Sequence, residues 1–183
     1  MPDIKQFETE RLILRGVTEA DIPCYQKHFA DYEIIRHLTK SAPWPYPEDG
    51  AERFLKDVIL PRQGNDRWMW GIFLKENPAE LIGAIELWRE GKPEHRGFWL
   101  ARKHHSKGIM TEAVAPITQY AFEELGFDKI VYANAVGNTA SRRVKEKAGA
   151  TFLYTEPAEF VDPQYTEHEV WELTKENWLK NRS

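Results

Sequence analysis

The sequence predicts one α/β domain on a mixed central sheet of about seven strands, an antiparallel meander first and a βαβ unit after it, with helices on both faces. Three observations predict it. Residues 68–74, 81–88 and 97–101 are apolar runs separated by turn residues, Asn77-Pro78 and Gly91-Lys92-Pro93, as in hairpin-joined strands. Beyond them the period changes: Ala113, Val114, Ile117, Ala121, Phe122 and Leu125 recur at helical spacing, and the run 129–136 then reads as a strand. The length of 183 residues fills one core and is short for two, so 1–183 is expected to form a single domain.

The elements follow in order. Residues 11–15, Arg-Leu-Ile-Leu-Arg, alternate well enough for a first strand. Thr18 can cap a helix running to about residue 29, with Glu19 and Asp21 suiting its positive end. A short helical piece is expected over 33–38. Pro43, Pro45 and Pro47 forbid helix or central strand there, so Ser41 to Pro47 should be an ordered loop bearing Trp44 and Tyr46. A helix over about 48–59 leads into the meander. After the 129–136 strand a helix over 139–148 is closed by Gly149, and strands at 151–154 and 169–174 finish the sheet.

Composition narrows the function. No apolar run approaches the ~20 residues that span a bilayer, and the N-terminus Met1-Pro2-Asp3-Ile4-Lys5-Gln6 lacks a signal peptide's basic and apolar regions. The single cysteine, Cys24, forms no internal disulfide; a cytoplasmic setting is expected, with Cys24 a small buried hydrophobe rather than a reactive thiol. A formal charge of -4 without a dense Lys/Arg run argues against nucleic acid as partner and is compatible with a cationic substrate. His95, His104 and His105 have a useful pKa range but no metal-ligand spacing, and one Cys argues against structural zinc; no metal is expected.

The stretch Lys103-His104-His105-Ser106-Lys107-Gly108-Ile109-Met110-Thr111-Glu112-Ala113 joins a strand to a helix through a small basic turn. A helix start offers free N–H groups and the positive end of the dipole, Gly108 lets a ligand approach the backbone, and Lys107 adds charge. On these grounds a plain helix-start turn and a phosphate site stand level. The turn has neither the glycines of a dinucleotide fingerprint nor the Gly-Lys-Ser/Thr of a nucleotide P-loop.

The order of motifs adds to this. The turn resembles the acyl-CoA pyrophosphate loop of the GNAT N-acetyltransferase superfamily, and more closely that of its RimJ/RimL branch. Glu8 to Arg15 is similar to that branch's opening strand, and Trp44-Pro45-Tyr46-Pro47 to its substrate-side loop. Asn138-Thr139-Ala140-Ser141, leading to Lys147-Ala148-Gly149-Ala150, is similar to its second cofactor motif. The resemblance covers about residues 7–178. It departs at His105, Ser106 and Met110, where the family carries Arg/Gln, Gly and Gly/Ala; backbone donors survive all three changes. It implies a GNAT fold and acetyl-CoA as co-substrate, its pyrophosphate on Lys107, Gly108, Ile109, Met110, Thr111, Glu112 and Ala113. It also implies a bulged strand at Leu100, Ala101 and Arg102, splayed from the strand near 132–135 so that the pantetheine arm lies between them.

Acetyl transfer to an amine needs a placed neutral amine, a donor to the oxyanion and a proton for the leaving thiolate. The resemblance implies a backbone N–H near Leu100 or Ala101 as oxyanion donor. Many relatives protonate the thiolate with a tyrosine whose slot here is Lys145. Ser141 then becomes the acid candidate, against a plain role in satisfying the helix start. Asn138 either caps its helix, binds the pantetheine amide, or does both. Glu159 falls where RimL-like enzymes carry a proposed base; attracting a cationic amine is its other reading. Glu86 points into the cleft or into solvent, and Glu112 supports the helix dipole. Trp44, Tyr46, Trp68, Trp70 and Trp88 wall an acceptor pocket or, for at least one of Trp70 and Trp88, fill the core. The expectation is an acetyl-CoA-dependent N-acetyltransferase, monomeric or homodimeric, with no membrane partner. Its acceptor is an amine, a (ribosomal) protein or peptide N-terminus first, a polyamine, antibiotic or aminoacyl compound second. A non-catalytic acyl-CoA-binding module and a tryptophan-faced interaction protein are the readings from other classes.

Overall fold

The computed structural model describes residues 4–89 and 94–182. A two-residue strand, β1 (Phe7–Glu8), precedes the first expected strand, β2 (Leu12–Gly16). Thr18 opens a short 3-10 turn in which the Asp21 carboxylate accepts the Thr18 N–H at 2.9 Å and is gripped by Arg15 through two 2.9 Å bonds. Helix α1 (Ile22–Phe29) follows, then α2 (Tyr32–Ile35), whose cap Asp31 accepts the Glu33 N–H. The proline-rich loop lies where expected. The next helix, α3 (Gly50–Arg53), widens into a π-helical stretch over Phe54–Ile59.

The meander is β3 (Arg67–Leu74), β4 (Asn77–Trp88) and β5 (Arg96–Leu100), all antiparallel. Asn77 is paired with Leu74, so the turn is Lys75-Glu76 rather than Asn77-Pro78. Pro78 is tolerated because the β3–β4 register slips beyond Phe73, where no regular ladder bond needs its missing N–H. The expected turn at Gly91-Lys92-Pro93 lies outside the described residues. Helix α4 (Ile109–Glu123), strand β6 (Lys129–Ala135), helix α5 (Thr139–Lys147), strands β7 (Thr151–Pro157) and β8 (Glu167–Thr174) and a C-terminal helix α6 (Lys175–Arg182) complete the chain. Sequence reading did not anticipate α6; it is anchored by Trp178, packed on Phe122 at 5.3 Å.

The strands form a five-stranded sheet in the order β1-β2-β3-β4-β5 and a three-stranded sheet in the order β6-β8-β7. The first carries a core on each face. On one side Leu12, Leu14, Trp70, Ile72, Ile85 and Leu100 pack with Ile109, Met110, Ala113, Val114 and Ile117 of α4. On the other Met69, Phe73, Leu81, Ala84 and Trp99 pack with Tyr25, Ala51, Leu55 and Ile59. Alternation along β3, with Met69 and Phe73 on one side and Trp70 and Ile72 on the other, produces this two-faced burial.

The sheets meet at β5 and β6 through His95. Its N–H donates to the Val131 carbonyl at 2.8 Å, and its Nδ1 accepts the Val131 N–H at 3.0 Å. Beyond this join no further main-chain bond links the two strands among the described residues, and they separate. That opening positions the site.

Candidate active site

A cavity of about 560 Å³ passes through the opening, lined there by Gly97, Phe98 and Trp99 of β5 and by Ala133, Asn134 and Ala135 of β6. Its volume is in the range of small-molecule and peptide-end sites. Its walls also include Tyr25, Phe29, Tyr46, Trp88 and Phe160, with Glu86, Glu94, His37 and His168 among them. Tyr46 packs edge-on to Phe29 at 5.1 Å. Gly50 makes room for its ring, since a Cβ there would come within 2.6 Å of it. Burial pushes the Tyr46 phenol up to about 12 and the deeper Tyr25 phenol higher still, so both stay neutral and able to donate.

Of the proposed aromatic wall, Tyr46 and Trp88 line the cavity, whereas Trp68 and Trp70 are core. Trp44 is exposed, lies against Tyr32 at 5.2 Å, and does not line the cavity. Glu86 does line it, half-buried, with Arg67 at 2.6 Å. Burial raises its pKa, and Arg67 opposes the shift. Glu94, which sequence reading passed over, is also raised by burial, with His168 and Lys145 opposing. Glu159 is exposed and does not line the cavity; its carbonyl accepts the Lys40 N–H, and it is the neighbouring Phe160 that turns inward.

The backbone of β5 offers donors to the opening. Ala101 N–H bonds to Ile82 C=O at 2.7 Å and Trp88 N–H to His95 C=O at 2.9 Å, so the odd-numbered residues of β5 exchange bonds with β4. The peptide groups of Phe98 and Leu100 therefore point away from β4 and into the split. Between the two candidate oxyanion donors, Ala101 is already committed and Leu100 is not. The expected bulge at Leu100, Ala101 and Arg102 is absent: pairing with β4 is regular from Arg96 to Leu100, and the register slip lies between β3 and β4. Separation of the sheets, not a bulge, opens the split. The Arg102 side chain is held by Asp31 at 3.0 and 3.1 Å.

The turn before α4 has a defined shape. Gly108 is left-handed, at φ 74 and ψ 9, and Ser106 has φ 62. The N–H groups of Ile109, Met110 and Thr111 have no helical partner upstream. Glu112 N–H already bonds to Gly108 C=O at 3.0 Å, and Ala113 lies inside the helix, so the cradle of free donors ends at Thr111 rather than at Ala113. The Ile109, Met110 and Ala113 side chains are buried in the core, so these three residues have only backbone to offer a ligand, while the Lys107 side chain is exposed. The Glu112 carboxylate faces away, accepting bonds from Thr9 and Arg11. His105 Nε2 is 2.7 Å from the Leu100 carbonyl and ties the turn to the end of β5. Free donors, a left-handed glycine and a split edge match what a CoA thioester requires at its pyrophosphate and pantetheine ends.

On α5, Asn138 caps the helix through a 3.4 Å bond from Ser141 N–H. Ser141 Oγ lies 2.8 Å from Lys145 Nζ. Neither Ser141 nor Asn138 lines the cavity; Ala135, at the end of the strand before them, does. Among the described residues no group of three His, Cys, Asp or Glu could hold a metal, and no helix is long and apolar enough to cross a membrane.

Residues 11–151 match the acetyltransferase (GNAT) domain family, and the chain belongs to that family. It is an N-acetyltransferase of RimJ/RimL-like type, which sets aside the non-catalytic readings. The Bacillus subtilis protein named "Putative ribosomal N-acetyltransferase YdaF" is 35% identical over 72% of this chain and 89% of its own. In fold the chain is similar to the ribosomal-protein-S5-alanine acetyltransferase of Vibrio fischeri, with TM-score 0.78, 19% identity, and 96% of this chain and 99% of that one covered. It is also similar to the spermidine N-acetyltransferase of Vibrio cholerae, solved with CoA and spermine, with TM-score 0.76, 19% identity, and coverage of 93% and 99%.

Proposed function

We propose that the chain, acting as one unit, transfers the acetyl group of acetyl-CoA to the N-terminal amine of a protein or peptide. The observation that carries this reading is the passage of the cavity through the β5–β6 opening, so that an amine held among Tyr46, Trp88 and Phe98 faces the edge of β5 that is unpaired with β4, where the Leu100 N–H is still uncommitted. Acetyl-CoA is held with its pyrophosphate on the N–H groups of residues 107–111 and its arm along that edge, with Asn138 beside it. Leu100 N–H takes the developing oxyanion, and Ser141 gives the leaving sulfur a proton. Relatives named for ribosomal proteins and neighbours solved with CoA support both substrates.

The wall chemistry favours a peptide end over a polyamine. The cavity is mostly apolar, rich in aromatic rings, and holds two carboxylates, of which Glu86 is already paired with Arg67. That suits one ammonium flanked by apolar side chains; a polycation would need several uncommitted acids. Glu86, partly desolvated and facing the acceptor, serves as base, directly or through water, while Glu159 at the rim attracts the incoming cation. A spermine complex among fold relatives keeps small amines as the second reading. The test is acetyl-CoA consumption against short peptides, polyamines and aminoglycosides with mass readout of the product. Acetylated peptide α-amines are expected. Acetylation confined to polyamines or aminoglycosides would replace the peptide reading.

A further inference from the structure

Lys145 occupies the slot where many relatives carry a tyrosine, and the structure gives it a different but related position. It sits one turn after Ser141 on α5, with Nζ 2.8 Å from the Ser141 hydroxyl, and is only 2% exposed while Ser141 is half-buried. A partly exposed hydroxyl is thus hydrogen-bonded to a buried amine. Phe98, its ring centroid 5.6 Å from Nζ, also lines the cavity. Every neighbouring element presents a group to this amine. From β5 comes the buried Arg96 guanidinium, 4.1 Å from the Tyr132 ring and without a hydrogen-bond partner among the described residues. From β6 comes Tyr132 itself, its ring 5.4 Å from Nζ. Glu94 precedes β5, and Glu169 on β8 is held by Asn134 at 2.9 Å and Arg142 at 3.6 Å.

Burying a lysine beside a second buried cation costs stability that a leucine or methionine of similar length would not. Such an arrangement is a mark of function when the buried group touches a reactive one. Burial and the nearby Arg96 hold the ammonium well below the ordinary lysine range, with Glu94 and Glu169 opposing, so its proton is more readily given up than that of an exposed lysine.

We propose that Lys145 is the positioning residue behind Ser141, supplying through that hydroxyl the proton that the departing CoA sulfur receives. The inference rests on the reading of Ser141 as the thiolate's proton donor and extends it. When the tetrahedral intermediate collapses, the carbon–sulfur bond breaks and the sulfur keeps the electron pair. The Ser141 O–H proton moves to sulfur, a proton from the Lys145 ammonium moves to Ser141 Oγ, and Lys145 is left as a neutral amine. Solvent returns its proton after CoA leaves, and the acceptor amine's own proton goes to the base. The two-residue chain does the work of a single phenol.

The test compares Lys145→Met, Lys145→Arg and Ser141→Ala, with fold checked by circular dichroism and acetyl-CoA affinity by calorimetry. Turnover is read by thiol release with the most active amine of a panel of peptides, polyamines and aminoglycosides. Lys145→Met is expected to lower kcat by about 10- to 100-fold with acetyl-CoA affinity nearly unchanged, and to remove the alkaline fall of kcat that reports loss of the relay proton. Lys145→Arg is expected not to restore turnover, because a guanidinium keeps its proton at accessible pH. Wild-type turnover in Lys145→Met, a uniform loss that leaves the pH profile intact, or rescue by Lys145→Arg would each overturn the relay. If Ser141→Ala is slow while Lys145→Met is normal, only the relay fails; if both are normal, the reading of Ser141 fails with it. Should Lys145→Met not fold, the dependence of wild-type kcat on the D2O fraction decides. Two protons in flight give a curve that Ser141→Ala straightens, and a straight line in the wild type overturns the proposal.

Discussion

Arg11 and Glu112 lie 101 positions apart and lock the start of β2 to the start of α4. The Arg11 Nε donates to Glu112 Oε1 at 2.7 Å, its main-chain N–H to Oε2 at 2.9 Å, and its NH1 to the Lys107 carbonyl at 2.9 Å, while the Thr9 hydroxyl also bonds to Oε2. One carboxylate thus holds the turn before α4 from behind.

Glu112→Ala is accordingly expected to lower stability by about 1–2 kcal/mol through loss of charge-assisted bonds, and to weaken acetyl-CoA by several-fold without contact to it. Calorimetry and denaturant melts check both. Burial opposes the charged form of Glu112, but the bonds from Thr9 and Arg11 outweigh it and hold the carboxyl below its ordinary value. Its contribution is therefore full above the unfolded value near 4.5 and is lost as pH falls through the lower folded value.

Gly108→Ala and Ser106→Gly should move stability in opposite directions. A Cβ at Gly108 would meet nothing closer than 3.7 Å, so the penalty is that of the left-handed backbone alone, about 1–2 kcal/mol. Ser106 already bears that conformation, and glycine relieves it against a smaller cost of chain entropy. Thermal melts read the sign. Gly108→Pro, which cannot adopt φ 74, should abolish acetyl-CoA binding; unchanged affinity in a folded variant would take the turn out of the cofactor site.

Glu86→Gln and Glu159→Gln separate proton removal from charge attraction. With Glu86 as the base, its loss should reduce turnover by about 10- to 100-fold at neutral pH, with partial recovery at high pH where more acceptor amine is neutral. In the wild type, burial raises the Glu86 carboxyl despite Arg67, so activity should fall as pH drops toward that raised value. Glu159→Gln should weaken acceptor binding modestly, and less so in salt. The reverse ranking would return the base to Glu159.

Lys145 should also leave a signature in stability. Its folded pKa is depressed by burial, so between that value and 10.5 the unfolded chain binds more protons, and stability rises with pH across the window. Lys145→Met removes this slope. Chemical melts between neutral and alkaline pH measure it, and equal slopes in the two proteins would mean that Lys145 remains charged where it is buried.

Much of the fold was readable because its causes are local. The apolar run 68–74 marks a strand buried on both faces, the helical spacing of Ala113, Ile117 and Ala121 states which side of a helix is apolar, and Gly108 at a strand-to-helix junction marks a turn that needs a left-handed residue. The helix α6 was missed because 175–182 carries no apolar stripe; one residue, Trp178, anchors it.

The site was only partly legible. The sequence by itself determined the order of motifs, hence the family, and singled out the turn at residues 107–113 and the pair Asn138 and Ser141 as candidates. Tertiary structure alone decided that Glu86 faces the cavity and Glu159 does not, that Trp70 fills the core while Trp88 lines the cavity, and that His95 joins the two sheets. It also set Lys145 behind Ser141, among Phe98, Arg96 and Tyr132. The physical reason is range. Backbone donors and periodicity are set by neighbours along the chain, whereas desolvation of a side chain depends on elements dozens of residues away, and no local pattern encodes which of two strands will part.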